Sequence, residues 1–155
     1  MTAGATPQDA AAGPDSRNGS LSDCMTTMIY AARRKLTITT PYYVPTQALQ
    51  AAICAAANRG VEVTLILPAR NDDFAVGAAS RSHYESFLEA GVRLHEFLPG
   101  LLHAKTLTLD GEITLIGSAN MDRRSFDLNY ENNILLVDPA ATAAMRARQE
   151  EFLAQ

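Results

Sequence analysis

The stretch Leu102-His103-Ala104-Lys105-Thr106-Leu107-Thr108-Leu109-Asp110-Gly111-Glu112-Ile113-Thr114-Leu115-Ile116-Gly117-Ser118-Ala119-Asn120 decides how this chain folds and where its chemistry sits. Two runs of Leu, Thr and Ile flank Asp110-Gly111, a pair that tolerates positive φ, and so predict a β-hairpin with a two-residue turn. With Asp110 and Gly111 as the loop, Leu109 is expected opposite Glu112 and His103 opposite Ser118. Directly opposed residues share a face of the sheet, as do residues two apart along one strand. The pattern therefore predicts His103, Lys105, Ser118 and Asn120 on one side. Asp110 falls out of phase with them, in the turn, where a carboxylate is expected to bond its own backbone.

That gathering suits phosphoryl chemistry. A lysine supplies a point positive charge, and an amide with a hydroxyl supplies directed hydrogen bonds, so together they hold a phosphodiester and its developing charge. A histidine attacks phosphorus as neutral imidazole or delivers a proton to a departing alkoxide, because its pKa lies near neutrality. Taken singly, each of these residues reads as ordinary hairpin polarity. Four of them in phase, between apolar neighbours, read as a site.

Composition bounds the rest. The chain has 155 residues, 47% hydrophobic and 19% charged, enough for one domain with a proper core. A formal net charge of −4 gives no overall basic field, so nucleic acid is disfavoured as a partner. Of the two basic clusters, Arg33-Arg34-Lys35 reads as a solvated helix end, and Arg123-Arg124 is placed to face an anionic substrate. Cys24 and Cys54 read as buried thiols of a reducing compartment. No Cys/His cluster has metal-ligand spacing, so neither a metal site nor a cofactor is assigned. No stretch resembles a signal peptide, and the longest apolar run, Ala48 to Ala57, is too short to cross a bilayer; the chain is expected to behave as soluble.

Outward from the hairpin, residues 1–19 are rich in Ala, Gly, Pro, Ser and Asp and read as a disordered leader or linker, with a single domain expected over 20–155. A helix is expected over 20–34, capped by Ser20 or Ser22, then a strand from Lys35 to Thr40 stopped by Pro41. An alanine-rich helix follows from Pro45 to Arg59, closed by Gly60, then a strand from Val61 to Leu67. A longer helix is expected from Asp73 to Ala90, a strand from Val92 to Phe97, another from Tyr130 to Val137, and a last helix from Ala140 to Leu153. This order predicts an α/β fold: a mixed β-sheet sandwiched between helices, parallel first and then extended antiparallel.

His103-Ala-Lys105, four residues, Asp110, then Gly117-Ser118-Ala119-Asn120 resembles the H-x-K-x4-D…G-S-x-N signature of the phospholipase D superfamily. Thr39 to Pro45, Asn58 to Val63, Ser80-Arg81-Ser82 and Gly117 through Asn133 look like the C-terminal half of bacterial cardiolipin synthases, so the resemblance covers roughly residues 20–153. It implies the phospholipase D-like α-β-α half and metal-independent phosphatidyl transfer between phosphatidylglycerol molecules through a phosphohistidine. It also implies that two motif copies meet across a twofold or pseudo-twofold axis, one histidine attacking and the other moving protons. Lys105 and Asn120 would hold phosphate oxygens with Ser118 in support, Asp110 would be structural, and Glu131 would bond the far nitrogen of His103. The parent enzyme would work at the cytoplasmic side of the bacterial membrane, on its surface.

This chain carries the motif once, and neither His83 nor His95 has a lysine two residues on; both read as surface or packing residues. Three readings stay open. The chain is the catalytic C-terminal half of a cardiolipin synthase-like enzyme, or a one-motif phosphodiesterase or nuclease that works as a homodimer, or a binding module without catalysis. Tyr42, Tyr43 and the segment from Leu98 to Leu102 are candidates to border a lipid entrance, with core packing the stronger explanation for the tyrosines.

Overall fold

Three strand segments separated by helical segments dictate parallel pairing, because a chain leaving one strand through a helix returns in the same direction. In a computed structural model describing residues 7–12 and 20–155, these segments are β2 (Lys35–Thr39), β4 (Glu62–Pro68) and β5 (Arg93–Phe97). β2 pairs in parallel with β4, and β4 with β5. The hairpin strands β6 (Thr106–Leu109) and β7 (Ile113–Gly117), then β9 (Glu131–Val137), extend the sheet antiparallel from β2. The strand order is β1-β9-β7-β6-β2-β4-β5, where β1 is Gln8–Ala12. The expected mixed sheet between helices is therefore what forms. β3 (Tyr43–Val44) and β8 (Met121–Asp122), which no pattern predicts, add a small parallel pair.

The faces of the sheet differ. On one, α1 (Ser20–Ala31) and α2 (Gln47–Asn58) pack Leu21, Met25, Ile29, Leu49 and Ile53 against Leu36, Ile38, Leu65, Leu107 and Leu115. Each such buried side chain contributes about 1.5–3 kcal/mol. The opposite face is covered by α6 (Pro139–Leu153) over a layer of threonines. There Gln149 accepts from Thr108 at 2.7 Å and donates to Thr106 at 3.0 Å and to the Thr37 carbonyl at 3.3 Å, while Thr114 and Thr142 bond at 2.9 Å. Buried polar groups cost little when each finds a partner, and these do. The helix termini follow their signals: Thr46 caps α2 by accepting from Leu49 N–H at 3.2 Å, and Asp138 caps α6 ahead of Pro139. Cys24 and Cys54 are free and half-buried rather than fully buried, and burial pushes both thiols up.

Three differences from the sequence reading have physical reasons. Residues 8–12, expected within an unstructured leader, form β1, antiparallel to β9; the edge of β9 offers a ladder that a composition argument does not see. Residues 1–6 and 13–19, the rest of that leader, lie outside the described residues. The helix expected from 73 to 90 is two, α3 (Phe74–Arg81) and α4 (Tyr84–Glu89), broken where Ser82 turns its hydroxyl back to the Ala79 carbonyl at 2.7 Å. Finally, the hairpin register is one residue from the expected one: Leu109 pairs with Ile113, not Glu112. Asp110 and Gly111 adopt φ of 54° and 78°, and Glu112 N–H closes the turn on the Leu109 carbonyl at 3.0 Å, as the Asp-Gly signal requires. Glu112 is then an extra residue before the ladder resumes. The slip sets Leu107 beside Leu115 and Thr108 beside Thr114, so one face is wholly apolar and the other threonine-lined; the unslipped pairing would mix them.

Candidate active site

The parallel strands β2, β4 and β5 end, and β6 and β9 begin, at one edge of the sheet, so the loops there are brought together. His103 and Lys105 lie in the extended segment entering β6, Ser118 and Asn120 follow β7, and Glu131 opens β9. Pairing continues one step past β6, with the N–H of Gly117, the last residue of β7, donating to the Lys105 carbonyl at 3.3 Å. Lys105 thus stands across from Gly117, and strict alternation does not by itself place it with Ser118. The groups approach because both strands have ended and β9 delivers a carboxylate between them.

Glu131 is the hub of what is assembled. It accepts a short hydrogen bond from the Ser118 hydroxyl and another from Asn129 Nδ2 at 3.3 Å. Ser118 is pinned further: its backbone N–H donates to the Asn132 carbonyl at 3.0 Å, and its hydroxyl accepts from Asn132 N–H at 3.0 Å. Partial burial pulls the Lys105 ammonium below its usual pKa, opposed by the negative charge of Glu131. The ammonium donates to the His103 carbonyl at 3.0 Å. Beside Lys105 lies a cavity of about 10 Å³, lined among others by Thr39, Thr40, Ala119 and Asn133, with room for one water.

His103 is exposed, and no hydrogen bond holds its imidazole among the described residues. Its ring instead meets Tyr42, with centroids 6.4 Å apart and planes at 86°. The expected bond from Glu131 to the histidine is not present; Ser118 and Asn129 take its oxygens. Asn120 donates its backbone N–H to Ser125 Oγ at 3.2 Å, and its side-chain Oδ1 is buried without a partner among the described residues. Arg123 and Arg124 open α5 (Arg123–Asp127) and are exposed, with Asp122 capping that helix by accepting from Ser125 N–H at 2.7 Å.

Asp110 lies at the other end of the hairpin. Its carboxylate accepts from the backbone N–H groups of Arg33, Arg34 and Lys35 at 3.0, 2.7 and 2.9 Å. Burial alone would raise its pKa, yet these three donors and the Arg34 charge hold it below the usual carboxylate value. The turn position was readable; the partners were not, since Asp110 bonds the α1–β2 connection rather than its own backbone.

Sequence reasoning underused Tyr42 and missed Asn129 and Asn133. Asn133 is buried and bridges the strands, accepting from Ala119 N–H at 3.4 Å and donating to the Ala10 carbonyl at 3.3 Å. It also explains Gly117: a Cβ there would lie 2.6 Å from the Asn133 Cα, and closer still to the Asn132 carbonyl. Tyr43 belongs to the core, fully buried, with its ring edge-on to His83 at 5.7 Å. His95 sits in β5 with Nε2 buried and unpartnered.

Comparison with known proteins places this geometry. Residues 25–153 match the family described as the cardiolipin synthase, PLD-like domain. The whole chain is 41% identical over 155 residues to cardiolipin synthase A of Salmonella arizonae and equally to that of Salmonella paratyphi B, of which it covers 32%. The chain thus spans about a third of the length of these curated relatives. Among solved structures it resembles Nuc of Salmonella typhimurium, a phospholipase D family member, with a TM-score of 0.82 at 20% identity, covering 97% of this chain and 96% of that one. It also resembles the phosphatidylserine synthase of Haemophilus influenzae Rd KW20, with a TM-score of 0.64 at 21% identity, covering 95% and 37%. At these identities the structures report the fold.

Proposed function

The chain belongs to the cardiolipin synthase, PLD-like domain family, and from that premise we propose that it is the C-terminal catalytic half of a phosphatidyltransferase that joins two phosphatidylglycerol molecules. The observation that carries this reading is the hub at the open end of the hairpin. A carboxylate, a hydroxyl and an ammonium are gathered there next to an imidazole whose nitrogens have no hydrogen-bond partner among the described residues. The 41% identity to cardiolipin synthase A across the chain supports the lipid substrate, and the net charge of −4 argues against a polyanion such as nucleic acid.

In the proposed reaction one imidazole nitrogen attacks the phosphorus of the first phosphatidylglycerol. The N–P bond forms, the P–O bond to glycerol breaks, and a second acid–base histidine protonates the leaving glycerol. That histidine then takes the proton from a hydroxyl of the second phosphatidylglycerol, whose oxygen displaces the imidazole. The products are cardiolipin and glycerol. Lys105 and Asn120 hold the phosphate oxygens as charge builds on them, and Ser118 and Glu131 fix their surroundings. By resemblance to the second motif of such enzymes, His103 takes the proton-transfer role.

Such a double displacement needs two acid–base groups flanking one phosphorus, and this chain contributes one. The second motif-bearing half comes from the same polypeptide in the parent protein or from another copy of this chain. The described residues include no helix long and apolar enough to cross a membrane. Phe74 at the start of α3 and Leu98, Leu101, Leu128 and Tyr130 in the loops at the site end are all exposed and suit contact with a lipid surface. That surface would be the cytoplasmic side of the bacterial membrane. The test combines sedimentation with a phosphatidylglycerol assay: cardiolipin production is expected only where two motif-bearing units associate. Robust turnover by a strict monomer, or hydrolysis of nucleic acid in its place, overturns the reading.

A further inference from the structure

His103 is held by less than its proposed task demands. Proton transfer or attack at phosphorus needs the ring aimed along one line, and an exposed imidazole with no hydrogen bond swings freely about two torsions. Against it stands the ring of Tyr42, nearly perpendicular at 86° and 6.4 Å between centroids.

Tyr42 in turn is fixed at both ends. Its hydroxyl donates to Asp72 Oδ1 at 2.5 Å, and its carbonyl accepts from the Thr40 hydroxyl at 2.9 Å. The β4–α3 loop that presents Asp72 is tied to the same segment by Asn71 Nδ2, which donates to the Pro41 carbonyl at 3.1 Å. Asp73, the next residue, caps α3 by accepting from Ala75 N–H at 2.9 Å. A loop anchored this way serves as a fixed post.

We propose that Tyr42 is a positioning residue for His103, and that Asp72 holds Tyr42 in that role. The proposal rests on the reading of His103 as a reacting group. A perpendicular aromatic pair at this separation restrains the imidazole by edge-to-face contact, and the hydrogen bond to Asp72 keeps the phenol ring in place for it. The bond to Asp72, followed by burial and the charges of Asp72, Asp73 and Asp122, pushes the Tyr42 hydroxyl up to about 12, so the donor persists throughout the neutral range.

The molecule contains its own control. Tyr43, the next residue, meets His83 with the same 86° angle at 5.7 Å, but inside the core and with its hydroxyl donating to Gln50 at 2.8 Å. NMR three-bond couplings of the three histidine side chains in this chain, for the unaltered protein, Tyr42→Leu, Tyr42→Phe and Asp72→Ala, report directly whether each ring is held in one rotamer. Tyr42→Leu is expected to average the His103 couplings over several rotamers and leave those of His83 and His95 in place. In the two-half enzyme the same change should lower kcat about tenfold with KM within twofold, and Tyr42→Phe and Asp72→Ala should each cost about two- to threefold in kcat. Unchanged His103 couplings with kcat within twofold in Tyr42→Leu overturn the proposal. If Tyr42→Leu also alters His83 and His95, Tyr42→Phe and Asp72→Ala decide, and His103 couplings and kcat unchanged in both overturn it. A His103→Ala enzyme that keeps its activity instead defeats the functional reading itself.

Discussion

At the turn of the β6–β7 hairpin, Asp110 spends its carboxylate on three backbone N–H groups; at the open end, among the described residues, His103 has no hydrogen bond on its ring and Asn120 Oδ1 no partner. The two ends are built from the same strands and the same signature. One saturates its polar groups to close the fold; at the other His103 is exposed and Asn120 Oδ1 is buried without a partner among the described residues, which suits the ligand-binding role proposed for that end. The difference also separates motif residues by role. Asp110 belongs to the signature yet stands at the far end of the hairpin from the site.

The strongest way to break this comparison is at the open end. His103→Ala in the two-half enzyme should lower transfer at least about 10³-fold with an unchanged melting curve, measured as cardiolipin formed per folded protein. Lys105→Met should follow with about a 10²- to 10³-fold loss in kcat, the scale of removing a charge-stabilising donor. If either change unfolds the protein without a specific loss, the open end is structural after all.

Gly117→Ala probes the join between the ends. With the Asn133 backbone 2.6 Å from the added carbon, strand β9 must shift, costing about 1–3 kcal/mol by denaturant unfolding and disturbing Ser118 and Glu131 with it. At the turn, Asp110→Asn should cost about 1–2 kcal/mol, because amide oxygen accepts the backbone bonds less strongly than carboxylate, while activity per folded molecule stays within a few-fold. The sign of its pH dependence follows from a depressed folded-state pKa. The stabilisation is present above the unfolded carboxylate value of about 4 and is lost as pH falls through the lower folded value. Acid unfolding of Asp110→Asn should therefore lack that part of the slope. Smallest of all, Glu112→Ala removes an exposed pair with Arg34 at 3.3 Å and should change stability by about 0.5 kcal/mol or less.

Much of this was legible in residue order. The glycines after α2 and α4, Pro41 after β2 and the Asp-Gly turn marked element ends, because their backbone preferences act locally. The register of the hairpin was legible too, in the alternation of Leu and Thr at 107, 108, 114 and 115, but turn length alone pointed one residue away. Strand β1 was not legible: a run of Gln, Asp and Ala carries no strand signal, and only the open edge of β9 recruits it. Tyr42 at His103 and Asp110 at residues 33–35 are likewise contacts between distant segments.

The residue order alone determined which chemical groups exist, their spacing on the hairpin and the alternation of helix and strand, since these rest on torsional preference and periodicity within a few residues. Tertiary structure decided which groups meet: it gave Glu131 to Ser118, Tyr42 to His103, and the Asp110 carboxylate to the backbone of residues 33–35. Those pairings depend on strand order and on where strands stop, which no local preference encodes.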